Sequence, residues 1–150
     1  NGSWTTVASL PVGRSDLAAA AVGGKIYIFG GYDGTNVLNS VMMYNPQTDT
    51  WTGGFAPVPT LRGALYGVGT KGNKVYVIGG WDNQDPFSMT IGATVEAYKV
   101  SKDSWETGLT PMITPRAETG CISHGGRIYV IGGGQPGFGN PIAACEVYKP

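Results

Sequence analysis

The stretch Ile26-Tyr27-Ile28-Phe29-Gly30-Gly31 decides the fold, because the chain repeats it twice more. The other two copies are Val75-Tyr76-Val77-Ile78-Gly79-Gly80 and Ile128-Tyr129-Val130-Ile131-Gly132-Gly133. Each copy is a short apolar strand that ends in a glycine pair, and it returns after about fifty residues. A repeat of this period predicts a modular array of small β-sheets instead of one irregular core.

Three further positions recur in register with the glycine pairs. A second tyrosine recurs at Tyr44, Tyr98 and Tyr148. In two units a tryptophan follows it by seven residues, at Trp51 and Trp105. An arginine precedes the first strand of each unit, at Arg14, Arg62 and Arg116. Each unit is therefore interpreted as four strands. The first strands are predicted at residues 17–22, 64–69 and 119–123, where small side chains suit sheets that converge on an axis.

This pattern resembles the kelch repeat, whose signature is a glycine pair after the second strand, a tyrosine in the third and a tryptophan in the fourth. The resemblance covers essentially the whole chain. It implies an all-β propeller in which each repeat is one four-stranded blade. A single such sheet has two apolar faces, so blades must stack to bury them.

The predicted domain organisation is one propeller unit over residues 1–150. Blade one spans 14–54, blade two 62–108 and blade three 116–150, and residues 1–8 are assigned to the fourth strand of a last blade. The basis is that Tyr148-Lys149-Pro150 followed by Asn1-Gly2-Ser3-Trp4 imitates the stretch from Tyr44 to Trp51, one residue shorter.

Three blades are fewer than the four to eight of typical propellers. We therefore expect a homodimer that closes a six-bladed ring, each copy lending the strand around Trp4 to the other. The alternative is a piece of a longer propeller. The first residue is Asn1 and not Met, which favours a processed, excised or engineered chain.

The composition argues against several classes of protein. Ten basic residues balance ten acidic ones, so no basic stripe indicates nucleic acid. The apolar runs are too short to span a bilayer, which argues against a membrane partner. The two cysteines, Cys121 and Cys145, are expected in the first and third strands of blade three. That separation is about 9–10 Å, beyond the reach of a disulfide.

The candidate ligand site lies on the face where the loops after the glycine pairs meet the segments that lead into the first strands. Its residues are Arg14, Arg62, Arg116, Tyr32, Asp33, Trp81 and Asp82. In a ring the arginines would form a belt of guanidinium groups suited to carboxylates. The resemblance implies the same chemistry, since kelch adaptors of ubiquitin ligases present arginines at a similar place and bind acidic peptides. The alternative is that the arginines brace loops, with Asp16 and Glu118 close by in sequence.

No catalytic constellation is visible, and we expect no enzyme activity, no metal and no cofactor. The chain has a single histidine, His124, which supplies neither a metal cluster nor the base of a nucleophilic triad. The expected function is a non-catalytic module that binds a protein or an acidic peptide. Two alternatives stay open: a self-assembling half-propeller scaffold without a ligand, and a carbohydrate-binding or sugar-processing kelch protein.

Overall fold

A computed structural model of the chain describes residues 1–65, 67–81, 90–135 and 140–150. Its strands form three antiparallel sheets. Blade one consists of β1 (Ala18–Val22), β2 (Lys25–Tyr32), β3 (Val37–Asn45) and β4 (Thr50–Thr52). Blade two consists of β5 (Val68–Lys71), β6 (Lys74–Ile78), β7 (Val95–Lys99) and β8 (Ser104–Glu106). Blade three consists of β9 (Gly120–His124), β10 (Arg127–Ile131) and β11 (Cys145–Tyr148). A short 3-10 helix, Val100–Lys102, lies between β7 and β8.

Strand order within each sheet follows the chain, as four-stranded blades require. Blades one and two have the orders β1-β2-β3-β4 and β5-β6-β7-β8, and blade three has β9-β10-β11. The two-residue turns at Gly23-Gly24 and Gly125-Gly126 have φ values between 57° and 72°, which is the conformation of tight hairpins. The prediction of an all-β fold built from propeller blades is confirmed.

The first strand of blade two was predicted wrongly at residues 64–69. The observed strand begins at Val68, four residues later. Ala64 has a φ of 46°, a left-handed conformation that an extended strand does not contain. Asp16 and Glu118, at the equivalent positions of the other repeats, also have positive φ, 56° each. Small residues alone therefore did not identify where this strand begins.

The hydrophobic core lies between blades, as the two apolar faces of each sheet require. One cluster joins Tyr27 and Phe29 of blade one to Val75, Val77 and Tyr98 of blade two. A second joins blades two and three. Blades one and two are also tied by a tryptophan to the segments that enter them. The Trp105 indole donates a hydrogen bond to the Ala56 carbonyl at 2.9 Å, and the Trp51 indole donates to the Ala8 carbonyl at the same distance.

Blade three ends at the β11 edge in the described residues, and residues 1–14, all of them described, contain no strand. The Trp4 side chain is fully exposed. The assignment of residues 1–8 to a fourth strand concerns a second molecule and remains a prediction. Cys121 and Cys145 lie on the two strands that flank β10, as predicted, opposite Val130 and Ile131. Within the described ranges, no helix is long and apolar enough to cross a membrane.

Candidate functional site

The loops after the glycine pairs and the arginine segments meet on one face of each blade. The residue after each arginine forms an antiparallel bridge with the residue after the glycine pair: Ser15 with Tyr32, Gly63 with Trp81, and Ala117 with Gly134. We call these loops and arginine segments the loop face. The shared face is the one predicted from the antiparallel order of the first two strands of each unit.

The glycine pair makes this meeting possible. Gly31 has a φ of 101°, and a Cβ at this residue would lie 2.6 Å from the Ser15 carbonyl oxygen. Its neighbour Gly30 faces the next blade, where a Cβ would lie 2.7 Å from the Leu65 side chain. One glycine therefore admits the arginine segment of its own blade and the other admits the neighbouring blade, which explains why the pair recurs.

The Arg62 side chain lies inside blade two and is completely buried. Its guanidinium donates to the carbonyls of Gly79 and Thr94 at 2.9 and 3.0 Å. It also forms a 2.7 Å ion pair with the Glu96 carboxylate on β7. Glu96 in turn accepts a hydrogen bond from the Thr60 hydroxyl at 2.8 Å. These are the contacts of a brace that ties the loop segment to the end of β6 and to β7.

Arg116 is also completely buried, in blade three, and pairs with the equivalent glutamate, although its carbonyl partners differ from those of Arg62. It donates to the carbonyls of Thr114 and Val130, each at 3.1 Å, and pairs with the Glu146 carboxylate on β11. Burial raises the pKa of Glu146, but hydrogen bonds from Arg116 and from two backbone N–H groups outweigh it, and the net pKa is lowered. The partner of Arg116 is therefore Glu146 and not the nearby Glu118.

Arg14 differs from the other two arginines. Its guanidinium donates to the Gly30 carbonyl and the Ser40 hydroxyl, both at 3.0 Å, and to the Met42 sulfur at 3.5 Å. Met42 stands on β3 where the other blades carry a glutamate. No carboxylate of the described residues lies within ion-pair distance of Arg14. Burial lowers the pKa of this guanidinium, and the Asp33 carboxylate partly opposes the shift. Arg14 is half-buried, so part of it faces solvent.

The two glutamates are functional neighbours that the sequence reasoning missed. The signal was available, because Glu96 and Glu146 each precede the second tyrosine of their unit by two residues. Met42 holds the same place before Tyr44. A charge that recurs on a buried strand requires a buried partner of opposite charge. The recurring arginine is that partner.

The other predicted site residues lie near the same bridges. Tyr32 and Trp81 occupy equivalent positions and are both half-buried. The Asp33 carboxylate accepts hydrogen bonds from the N–H groups of Asn36 and Thr35 at 2.7 and 2.8 Å, and these bonds lower its pKa. Asp82 lies outside the described residues. The structure thus places Arg14, Tyr32 and Asp33 together on blade one and Trp81 at the equivalent point of blade two.

The inner ends of the blades are joined by backbone hydrogen bonds. Leu65 N–H donates to the Asp16 carbonyl at 3.1 Å, and Glu118 N–H donates to the Ala64 carbonyl at 3.5 Å. The three residues with positive φ thus occupy equivalent positions at successive blade junctions. In the part of the chain that the structure describes, no group of three or more metal-ligating side chains comes together.

The sequence matches the model of the KLHDC2/KLHL20/DRC7 Kelch-repeats domain over residues 2–134. The chain belongs to the kelch-repeat family. The F-box/kelch-repeat protein At1g67480 of Arabidopsis thaliana is 35% identical over 125 residues, which cover 79% of this kelch chain and 31% of the plant protein. Kelch repeat protein M-T8 of Myxoma virus (strain Lausanne) is 32% identical over 134 residues, 87% of this chain and 24% of the viral protein.

Two more similar proteins are an enzyme and a protein of solved structure. An N-acetylneuraminate epimerase of Pasteurella multocida (strain Pm70) is 34% identical over 87 residues, 54% of this kelch chain and 23% of the epimerase. The solved structure of YjhT superposes with a TM-score of 0.77 at 20% identity, over 88% of this chain and 48% of YjhT. This kelch chain therefore spans about a quarter to a half of the proteins it resembles.

Proposed function

We propose that this kelch chain is a non-catalytic module that binds a protein through its loop face. The observation that carries the proposal is that Arg14, Tyr32 and Trp81 are all half-buried there. Arginine, tyrosine and tryptophan are the residue types that dominate binding energy at protein interfaces. Half-burial supports this role because each side chain is partly fixed by the protein and keeps part of its surface exposed to a partner.

The internal braces favour binding by a rigid surface. Arg62 and Arg116 are enclosed in their own blades and fix the loop segments to the third strands. A surface that is ordered before binding loses less conformational entropy when a partner arrives. In this proposal the two buried arginines support the loop face, and they are not offered to a ligand.

The chemistry of the partner follows from Arg14. Its guanidinium lacks the carboxylate that Glu96 and Glu146 provide in the other blades. An acidic side chain of the partner would supply that group, and a guanidinium binds a carboxylate with two well-directed hydrogen bonds. Asp33 and Glu118 add negative charge to the same face. We therefore propose one acidic anchor per chain, flanked by contacts to Tyr32 and Trp81, in place of a continuous anion belt.

A selection from a phage-displayed library of random peptides tests the proposal. Selected peptides should share an acidic residue, and Arg14→Ala or Trp81→Ala should weaken their binding at least about tenfold. Arg127→Ala is the matched control, since Arg127 is exposed beside the Gly125-Gly126 hairpin, at the opposite end of its strand. Selected peptides whose affinity is unchanged by Arg14→Ala and by Trp81→Ala would contradict the proposal. A selection without binders would favour the scaffold alternative.

A sugar ligand is the second candidate, and Trp81 is the observation that favours it. A half-exposed indole beside polar loops offers the stacking surface that sugar rings use, and one relative is an N-acetylneuraminate epimerase. Titration with N-acetylneuraminate, followed by Trp fluorescence and by NMR of the sugar anomers, separates the candidates. Saturable binding that Trp81→Ala abolishes would support the sugar role, and interconversion of the sugar would show enzyme activity.

A further inference from the structure

The two junctions between blades use equivalent faces. We call the face that a blade turns toward the next blade its trailing face, and the opposite one its leading face. The trailing faces of blades one and two are both buried. That of blade one includes Ala20, Tyr27, Phe29 and Val41. That of blade two includes Gly69, Tyr76, Ile78, Val95 and Ala97. The register of the strands defines the same positions in blade three.

In blade three the trailing face is uncovered. Its residues at these positions include Ile122, Ile131 and Val147, which are 59%, 50% and 44% exposed. The equivalent residues of blade two are Gly69, Ile78 and Ala97, all buried. Three large aliphatic side chains on one sheet form an apolar patch of the kind that marks an interaction surface. The position of the patch in the repeat identifies the surface that fits it, namely the leading face of another blade.

A cavity lies beside β11 where the other blades hold a tryptophan. In blade two, Trp105 packs on Tyr98 and on Phe29, with ring centroids 5.2 and 5.8 Å apart, and bonds the Ala56 carbonyl. The equivalents of these three partners in blade three are Tyr148, Ile78 and Thr110. All three line a cavity of about 410 Å³. The cavity therefore has the surroundings that the repeat gives to its fourth-strand indole.

The other end of the chain exposes a tryptophan and part of a leading face. Trp4 is fully exposed, Val7 is also exposed, and the Ile26 side chain on the leading face of blade one is 37% exposed. The equivalents of Ile26 in the other blades, Val75 and Ile128, are completely buried against a preceding blade. One copy of the chain thus presents an uncovered trailing face at one end. At the other end it presents an exposed Trp4 and a leading face that is open at Ile26, while Ile28 and Tyr44 on that face are buried.

We propose that two copies of this chain associate head to tail into a closed ring of six blades, with Trp4 of each copy inserted into the cavity beside β11 of the other. The strand around Trp4 pairs antiparallel with β11, so that Trp4 lies opposite Tyr148 as Trp51 lies opposite Tyr44. The trailing face of blade three then covers the leading face of blade one. The indole N–H donates to the Thr110 carbonyl.

A second copy is the occupant that the observations favour, because each new junction repeats the one already present inside the chain. Both junctions are related by a single two-fold axis, so the assembly closes and does not polymerise. Six blades also fall within the usual range for propellers. Closure would complete the central channel that the loop face surrounds. The association does not depend on the proposed binding function, and each can fail without the other.

Analytical ultracentrifugation of the 150-residue chain tests the proposal. At micromolar concentration the sedimenting mass should be twice that of one chain. Trp4→Ala should raise the dissociation constant roughly thirtyfold or more, as loss of a central tryptophan does at interfaces. Ile131→Lys should also raise the dissociation constant, because it places a charge on the trailing face. Lys102→Ala, on the outer turn between β7 and β8, is the control and should leave the mass unchanged. Circular dichroism checks that every variant remains folded.

A disulfide distinguishes this arrangement from other modes of self-association. In blade one, Met43 lies opposite Thr52, and the equivalent pair is Val147 of one copy and Thr5 of the other. With both native cysteines replaced by serine, Thr5→Cys with Val147→Cys should give a covalent dimer on mild oxidation, and either change alone should not cross-link Thr5 to Val147. A folded monomer at these concentrations would overturn the proposal. So would a dimer that is insensitive to Trp4→Ala, or capture of a different protein in place of a second copy.

Discussion

Arg62 and Glu96 form an ion pair at 2.7 Å with both side chains buried inside one sheet. Glu96→Ala leaves the guanidinium without its carboxylate, and we expect it to lower the free energy of unfolding by about 3–5 kcal/mol. Urea unfolding at neutral pH measures the change. Glu118→Ala, an exposed glutamate of the same face, is the control. A loss below 1 kcal/mol would show that blade two does not depend on this pair.

Met42→Glu should have the opposite effect, because it restores in blade one the carboxylate that the other blades contain. We expect the free energy of unfolding to rise by about 1 kcal/mol, since the Arg14 guanidinium is already partly removed from water. Met42→Gln has the same shape without the charge and should not stabilise the protein. If Arg14 anchors an acidic partner as proposed, Met42→Glu should also weaken that partner's binding, because the new carboxylate competes for the guanidinium.

Trp105 should contribute to stability in two separable ways. Trp105→Phe removes the hydrogen bond to the Ala56 carbonyl but keeps a ring, and should cost about 1–2 kcal/mol. Trp105→Ala also removes the contacts with Phe29 and Tyr98 and should cost about 3–5 kcal/mol. Trp4→Ala, measured in dilute solution where copies do not associate, should change nothing. Equal losses for the first two variants would mean that ring packing contributes little.

The lowered pKa of Glu146 predicts a loss of stability in acid. Its carboxyl has a pKa below the ordinary value of 4.5 in the folded chain, so the folded state favours the ionised form. The resulting stabilisation is present above pH 4.5 and disappears as the pH falls through the lower folded value. Urea midpoints measured between pH 7 and pH 2 should therefore decline in this window. Glu146→Gln should make the urea midpoint less dependent on pH in this window. If the midpoints of this variant fell in parallel with those of the unchanged protein, Glu146 would not be the group responsible.

The two cysteines should react at different rates with a thiol reagent. Burial raises the pKa of the Cys121 thiol to about 11, so little thiolate is present at pH 8 and alkylation should be slow. Cys145 is exposed on β11 and should react readily at low protein concentration. Because Cys145 lies on the trailing face, its reaction should slow as copies associate. The Cys145→Ser variant leaves Cys121 as the only thiol, so its alkylation rate identifies the slower site. An alkylation rate of Cys145 that does not depend on protein concentration would argue against the ring.

The elements predictable from the sequence were those fixed by local chemistry. A glycine pair after an apolar run requires positive φ and close approach, and Gly31 beside the Ser15 carbonyl meets both conditions. The tyrosines of the second and third strands, with Trp51 and Trp105 of the fourth, likewise appear in the predicted strands, because their large apolar area must be buried between sheets. For this reason the blades, their order and their packing followed from one aligned repeat.

The parts that could not be predicted depend on contacts between distant residues. Arg62 turns inward because it pairs with Glu96, which lies 34 positions away in the sequence. The recurrence of the arginines alone was compatible with a side chain that faces solvent and with one that is buried. The start of β5 was missed because Ala64, whose carbonyl accepts a hydrogen bond from Glu118 across the blade junction, has a left-handed backbone that interrupts the extended chain. Side chains at residue 82 and nearby lie outside the described ranges, so their prediction is untested.

The indoles of Trp51 and Trp105 each donate a hydrogen bond to the segment that enters the same blade, and we call each of these bonds a latch. Ala8 and Trp51 are 43 positions apart and Ala56 and Trp105 are 49 positions apart, so each of these two latches encloses one repeat. Duplication or deletion of a stretch from one such alanine to the next leaves every remaining latch intact. A gene that encodes this architecture can therefore lengthen or shorten by whole modules in a single recombination event, without first acquiring compensating substitutions at these latches.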